Sequence, residues 1–151
     1  MGGVITDKEK TRMKNHWEHF PHEADMGVRG IGASKEEAFE EAAKALTSVI
    51  TDLGTVCPKE MIHLSGEGPD DDLCLAEWLN QLIFEMATRK MLFSDFKLKM
   101  RGHRFEADIW GETINVEKHQ PAVEVKGATF TALGVKQSSD GFWVAQCVVD
   151  V

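Results

Sequence analysis

The chain has 151 residues, 42% of them hydrophobic and 28% charged, enough to bury a single core without staples. No apolar run approaches the roughly 20 residues needed to span a bilayer, and the polar N-terminus lacks the apolar centre of a secretory signal. A net charge of −8 argues against a protein that grips nucleic acid alone and suits docking on a basic protein surface.

Residues 1–15 are expected to form a flexible tail, and residues 16–151 a single domain. His16 to Phe20 and Met26 to Ile31 read as short extended pieces around Pro21, the second punctuated by Gly27, Gly30 and Gly32. Ser34 and Glu37 form a capping box that opens the first helix. Its apolar face is Ala38, Phe39, Ala42, Ala43, Leu46, Val49 and Ile50, with Lys35, Glu36, Glu40, Glu41 and Lys44 expected in solvent. The helix should stop near Asp52 to Gly54.

Met61 to Ser65 reads as a strand, and Asp70 to Asp72 open a second helix, where acids suit the positive end of the dipole. Leu75, Leu79, Leu82, Ile83 and Met86 form its buried stripe, with Trp78 at the margin. The rest is β. Phe96, Leu98 and Met100 alternate with Lys97, Lys99 and Arg101, a Gly102-His103 turn follows, and Phe105, Ala107 and Ile109 complete a hairpin. Val123 to Val135 is a long strand candidate, and a turn at Ser138 to Gly141 leads to a last strand, Phe142 to Val149. These elements predict an α+β domain of two layers, with two amphipathic helices on a mostly antiparallel sheet.

Cys57, Cys74 and Cys147 have no metal-type spacing; Cys74 at a helix start and Cys147 in a strand read as reduced, buried small hydrophobes. With the missing signal, they point to a cytoplasmic protein. His16, His19 and His22 recur at three-residue intervals, but Pro21 speaks against one helix carrying them all, so zinc is a weak reading. There is no phosphate-binding glycine loop and no nucleophile elbow.

Three candidates for chemistry remain. Asp25 begins an extended segment and has no helix to cap, with His22 placed to orient it. Lys126 sits among apolar and small neighbours. The apolar last strand delivers Asp150 and the carboxylate of Val151 to the end of a sheet. Gathered together, these groups offer hard anionic oxygens suited to Ca²⁺, Mg²⁺ or Mn²⁺ rather than zinc, with an ammonium to offset repulsion. From spacing alone, the plainer reading is that Asp25 and Asp150 are ordinary strand-end acids, with Lys126 in solvent.

At these residues the chain resembles the archease family. The family's H-T-A-D-(I/V)-G is similar to H-E-A-D-M-G at 22–27, and its E-E-A-F run to Glu36 through Phe39. Its G-E and K-H elements are similar to Gly111-Glu112 and Lys118-His119. Its V-K-A-(I/V)-T-Y strand resembles V-K-G-A-T-F at 125–130, and its terminal D-(I/V) resembles Asp150-Val151. The resemblance implies a strand-helix-strand-strand (SHS2) module. It also implies a non-catalytic activator that promotes guanylylation and repeated turnover of an RtcB-type RNA ligase, as in tRNA splicing. That ligase, using GTP and Mn²⁺, would be the partner, with no direct nucleic-acid or membrane contact expected. Asp25, Asp150 and Val151 would bind a divalent ion, Ca²⁺ foremost, and Lys126 and His22 would serve activation. The chain departs from the pattern at Glu23, Gly127 and Phe130, the last lacking the family's tyrosine hydroxyl. A stand-alone metal-dependent phosphoester hydrolase and a plain binding or scaffolding module are the competing readings.

Overall fold

The computed structural model describes residues 15–151, so almost all of the expected tail lies outside the described residues. Two antiparallel sheets and two long helices enclose one core. Strands β1 (His16–His22), β2 (Asp25–Gly32), β6 (Gly127–Ala128), β7 (Gly134–Gln137) and β8 (Trp143–Asp150) form a five-stranded sheet. Its order is β1-β2-β8, with β6 and β7 both pairing along the far edge of β8. Strands β3 (Glu60–Glu67), β4 (Met91–Arg101) and β5 (Arg104–Thr113) form a second sheet in the order β3-β5-β4. Helix α1 (Lys35–Ile50) links β2 to β3, α2 (Asp71–Arg89) links β3 to β4, and a single turn, α3 (Val116–His119), follows β5. The run β3-α2-β4-β5 is the expected strand-helix-strand-strand order.

Local chemistry sets these boundaries. Ser34 Oγ accepts the Glu37 N–H at 3.1 Å, while Glu37 reaches back to the Ala33 N–H. Helix α1 ends at Ile50, slightly earlier than expected, because Thr51 turns extended while its N–H still bonds Thr47 O. Asp70 caps α2 through the Leu73 N–H, and Lys90 closes it in the left-handed region at φ 54°.

Helix α1 lies against β2 and β8, and Gly30 is what lets it approach: a Cβ there would stand 2.1 Å from Ala38 O and 2.2 Å from Ala42 N. On the opposite face, the Phe20 ring occupies the space over Gly27, with the Arg29 guanidinium 4.5 Å from its centroid.

Several expectations change. Trp78 is not marginal but fully buried; its Nε1–H donates to Phe39 O at 2.9 Å, tying α2 to α1, and Phe96 and Phe105 meet its ring edge-on. Glu41 is buried rather than solvated, paired with Lys44 at 2.9 Å, and Glu40 is half-buried. The long strand expected over Val123 to Val135 is instead two short strands separated by a turn, because Thr129 and Thr131 turn the backbone between two stretches that both bond β8. Cys74 and Cys147 are buried thiols, as read. Burial pushes Cys147 up to about 12, and burial followed by the Asp71 charge pushes Cys74 up to about 11. No helix among the described residues is long and apolar enough to cross a membrane.

Candidate functional site

The site is built by strand register. Strands β2 and β8 pair from Gly32 opposite Trp143 to Met26 opposite Val149. One rung further sets Asp25 beside Asp150. Alternation then decides which face they share. Met26, Val28, Ala145, Cys147 and Val149 turn inward to the core, so Asp25 and Asp150 turn to the outer face, away from α1. The same alternation brings Val151 inward, where its side chain packs against the core. Its N–H donates to Asp25 Oδ1 at 3.4 Å. Asp25 is half-buried and Asp150 exposed.

On one side of this pair, His22 is the direct partner of Asp25 across the β1–β2 hairpin. Its ring is half-buried and makes no hydrogen bond to Asp25. Glu23 sits in the tight turn between them with φ 52°, a left-handed backbone unusual for a side chain with a Cβ. On the other side, Gly127 pairs with Asp150 and the Lys126 N–H donates to Asp150 O at 2.7 Å. Lys126 is therefore adjacent through its backbone. It precedes β6 rather than lying mid-strand, its side chain is exposed, and it enters no ion pair among the described residues.

One end of the five-stranded sheet thus carries His22, Asp25, Asp150 and Gly127 in one row across β1, β2, β8 and β6, with Lys126 and Val151 beside it. Among the described residues, no three His, Cys, Asp or Glu side chains gather as a metal-holding group. Asp25 and Asp150 supply two side-chain carboxylates here, and Glu23 adds a third acid in the adjoining turn. As a donor set this fits a hard cation, since every member is an oxygen and water can fill the remaining positions. The three histidines of β1 do not converge: His19 turns inward and bonds Ala45 O at 2.8 Å, while alternation turns His16 and His22 outward.

A second cluster escaped sequence reasoning. Glu112, buried at the end of β5, accepts the Cys57 N–H at 2.8 Å, Lys118 Nζ at 2.7 Å and His119 Nε2 at 3.0 Å, with Lys59 Nζ at 3.6 Å. The Cys57 N–H first, then Lys118 and His119, hold its carboxyl well below the usual carboxylate range. Glu112 and then Cys57 hold the Lys118 ammonium protonated to higher pH than usual. His119 is buried at the end of α3. Its Nδ1 accepts the Asn115 N–H at 2.9 Å, so Nε2 carries the proton given to Glu112. All three hydrogen bonds to Glu112 come from donors, and the cluster clasps the 57–59 segment, β5 and α3 together. The available signal was an acid on a strand end followed six and seven residues later by Lys118 and His119.

Elsewhere, Lys97 and Lys99 face Asp108 and Glu106 across β4 and β5, so two of the three basic residues of β4 are matched by acids on the neighbouring strand, while Arg101 faces Arg104.

Comparison with known proteins agrees with this arrangement of elements. The Archease protein family (MTH1598/TM1083) matches residues 17–151. Protein archease of Pyrococcus abyssi is 38% identical over 139 residues, covering 89% of this chain and 98% of the relative. That of Thermococcus kodakarensis is 37% identical with the same coverage. The solution structure of Methanobacterium thermoautotrophicum protein 1598 superposes with a TM-score of 0.78 at 33% identity, over 89% of this chain and 98% of that one. A crystal structure from Thermotoga maritima, described as an archease and possible chaperone, shares the fold with a TM-score of 0.61 at 18% identity, over 89% of this chain and 96% of that one. The chain belongs to the archease family.

Proposed function

We propose that this protein activates an RtcB-type RNA ligase, promoting its GTP-dependent guanylylation and its repeated turnover in tRNA splicing or RNA repair. The ligase supplies the catalytic residues, and this chain supplies a rigid carboxylate pair. One observation carries the reading: in an archease-family chain, strand register sets Asp25 beside Asp150 at one end of the sheet, with the Val151 N–H on Asp25. Three of the segments through which the chain resembles the family, 22–27, 125–130 and 150–151, meet at that pair. The overall acidity suits a partner built to bind RNA, whose surface is basic.

In this proposal Asp25, Asp150 and the carboxylate of Val151, where Val151 is the last residue, hold a divalent cation. Ca²⁺ is the first candidate, with Mg²⁺ and Mn²⁺ as alternatives. Such an ion would offset the repulsion between the carboxylates and present positive charge to phosphate or carboxylate oxygens of the ligase. Val151, packed on the core, fixes the strand end, so the donors are positioned before the partner arrives. His22 borders Asp25, and the exposed Lys126 ammonium is available to anionic oxygens of the partner.

The test is multiple-turnover RNA ligation by an RtcB-type ligase with and without this protein. Stimulation by the unsubstituted chain, and its loss in folded Asp25→Ala, Asp150→Ala and Lys126→Ala variants, is expected. Full stimulation by all three variants refutes the assigned residues. Phosphoester hydrolysis by the purified chain with Mn²⁺ would favour the hydrolase reading instead, and binding to a partner without any effect on ligation would favour the scaffolding one.

A further inference from the structure

Phe130 is the most exposed large hydrophobic side chain among the described residues, at 74% of its surface. Single exposed apolar residues are ordinary, so exposure alone assigns nothing. What sets this one apart is how firmly it is presented, and where.

The turn between β6 and β7 is clamped to β8 from both ends. The Thr129 N–H and hydroxyl both donate to Val148 O, at 2.9 and 2.8 Å, and the Val148 N–H donates to Thr131 O at 3.0 Å. Inside the turn, the Thr131 N–H donates to Thr129 Oγ1 at 3.1 Å and the Leu133 N–H to Phe130 O at 3.3 Å. Gln146 Nε2 donates to Ala132 O at 3.2 Å, holding Ala132 at φ 54°. The backbone beneath Phe130 is therefore fixed, while its ring faces solvent. An aromatic on a pre-ordered backbone loses little freedom when a partner covers it, which is the usual character of an interface anchor.

Its location follows from the strand. The turn is bonded to Val148, two residues from Asp150, or about 7 Å along β8. A standard protein interface covers about 800 Å² on each side, a patch roughly 30 Å across. The turn therefore lies within reach of a partner that engages Asp25 and Asp150 over such a patch.

We propose that Phe130 is the apolar anchor of this surface, seating in a hydrophobic pocket of the same partner that meets the Asp25–Asp150 pair. The inference rests on the activator reading and adds a division of labour to it. The carboxylate pair determines how much the partner is stimulated, and Phe130 determines how tightly it is held.

The experiment titrates the full chain into a fixed concentration of an RtcB-type ligase with GTP, and follows both guanylylation and direct binding. The unsubstituted chain is compared with Phe130→Ser, Phe130→Tyr and Met61→Ser. Met61 is a control, 54% exposed on the other sheet. Phe130→Ser should raise the half-saturating concentration by about 30-fold and leave the plateau unchanged. Phe130→Tyr should behave like the unsubstituted chain, Met61→Ser should change nothing, and all variants should melt alike. Unaltered half-saturation in Phe130→Ser overturns the anchor while leaving the activator reading intact. So does a lowered plateau at unaltered half-saturation, or an equal effect from Met61→Ser. Absence of both stimulation and binding by the unsubstituted chain overturns the activator reading and the anchor together.

Discussion

Replacing Glu40 by glutamine should stabilise this protein, and only where the glutamate is ionised. Glu40 sits on α1 against β4, where its Oε2 accepts the Leu98 N–H at 2.8 Å. Burial raises its carboxyl from 4.5 to about 6; the Leu98 bond opposes that rise, and the nearby Glu37 charge adds to it. The folded-state value lies above the unfolded one, so ionised Glu40 opposes folding. The penalty is absent below the unfolded value of 4.5, grows as pH rises through about 6, and is complete at neutral pH. A shift of this size corresponds to about 2 kcal/mol. Glu40 keeps some solvent contact, and screening reduces the expected penalty to about 1 kcal/mol. Glutamine keeps a carbonyl oxygen for the Leu98 N–H and removes the charge. Urea unfolding followed by tryptophan fluorescence should therefore show Glu40→Gln more stable by about 1 kcal/mol at pH 7.5, with a melting temperature about 2–4 °C higher. At pH 4 the two proteins should be equal. An equal gain at both pH values, or a loss at pH 7.5, refutes the reasoning.

Lys90→Gly should add about 1 kcal/mol, because residue 90 closes α2 in the left-handed region at φ 54°, where glycine pays no Cβ penalty; calorimetry checks it. Gly30→Ala should cost about 3 kcal/mol or more in denaturant unfolding, since its Cβ would stand 2.1 Å from Ala38 O with only helix backbone to yield. Glu112→Gln should lower the melting temperature at pH 7. Glu112's folded value is depressed below the unfolded 4.5, so its contribution is complete above that pH and fades as pH falls toward the depressed value. The gap between the two proteins should accordingly narrow in melting curves taken below pH 4.5.

The helices were legible because their signals are local. Ser34 with Glu37, the Asp70 cap and the apolar stripes all lie within one or two turns of the residues they govern. The β4–β5 hairpin was legible for the same reason, with Gly102 at φ 63° closing it. Trp78 was misplaced because its burial comes from partners distant in sequence. Trp78 is buried by its bond to Phe39 O and the rings of Phe96 and Phe105, which no periodicity within α2 records. The single strand expected over Val123 to Val135 failed because its two ends share β8 as a partner, and only the Thr129 bond to Val148 reveals the turn between them.

The candidate site was half legible. Asp25, Asp150 and Lys126 stood out as residues without a local structural task, and the family pattern joined them. Their geometry depends on register between strands more than a hundred residues apart. That register sets Asp25 beside Asp150 on the face away from α1 and leaves Lys126 in solvent beside them. The Glu112 clasp was missed because the Gly111-Glu112 and Lys118-His119 pairs were read as separate motifs, and the Cys57 N–H that completes the clasp lies fifty-five residues upstream.

The most direct measurement is the rate at which an RtcB-type ligase takes up labelled guanylate from GTP, with and without this protein, for the unsubstituted chain and for folded Asp25→Ala. The account predicts a faster and more complete guanylylation with the unsubstituted chain, and none of that gain with Asp25→Ala even at saturating concentration. Equal rates with and without the unsubstituted chain, or full acceleration by Asp25→Ala, would contradict it.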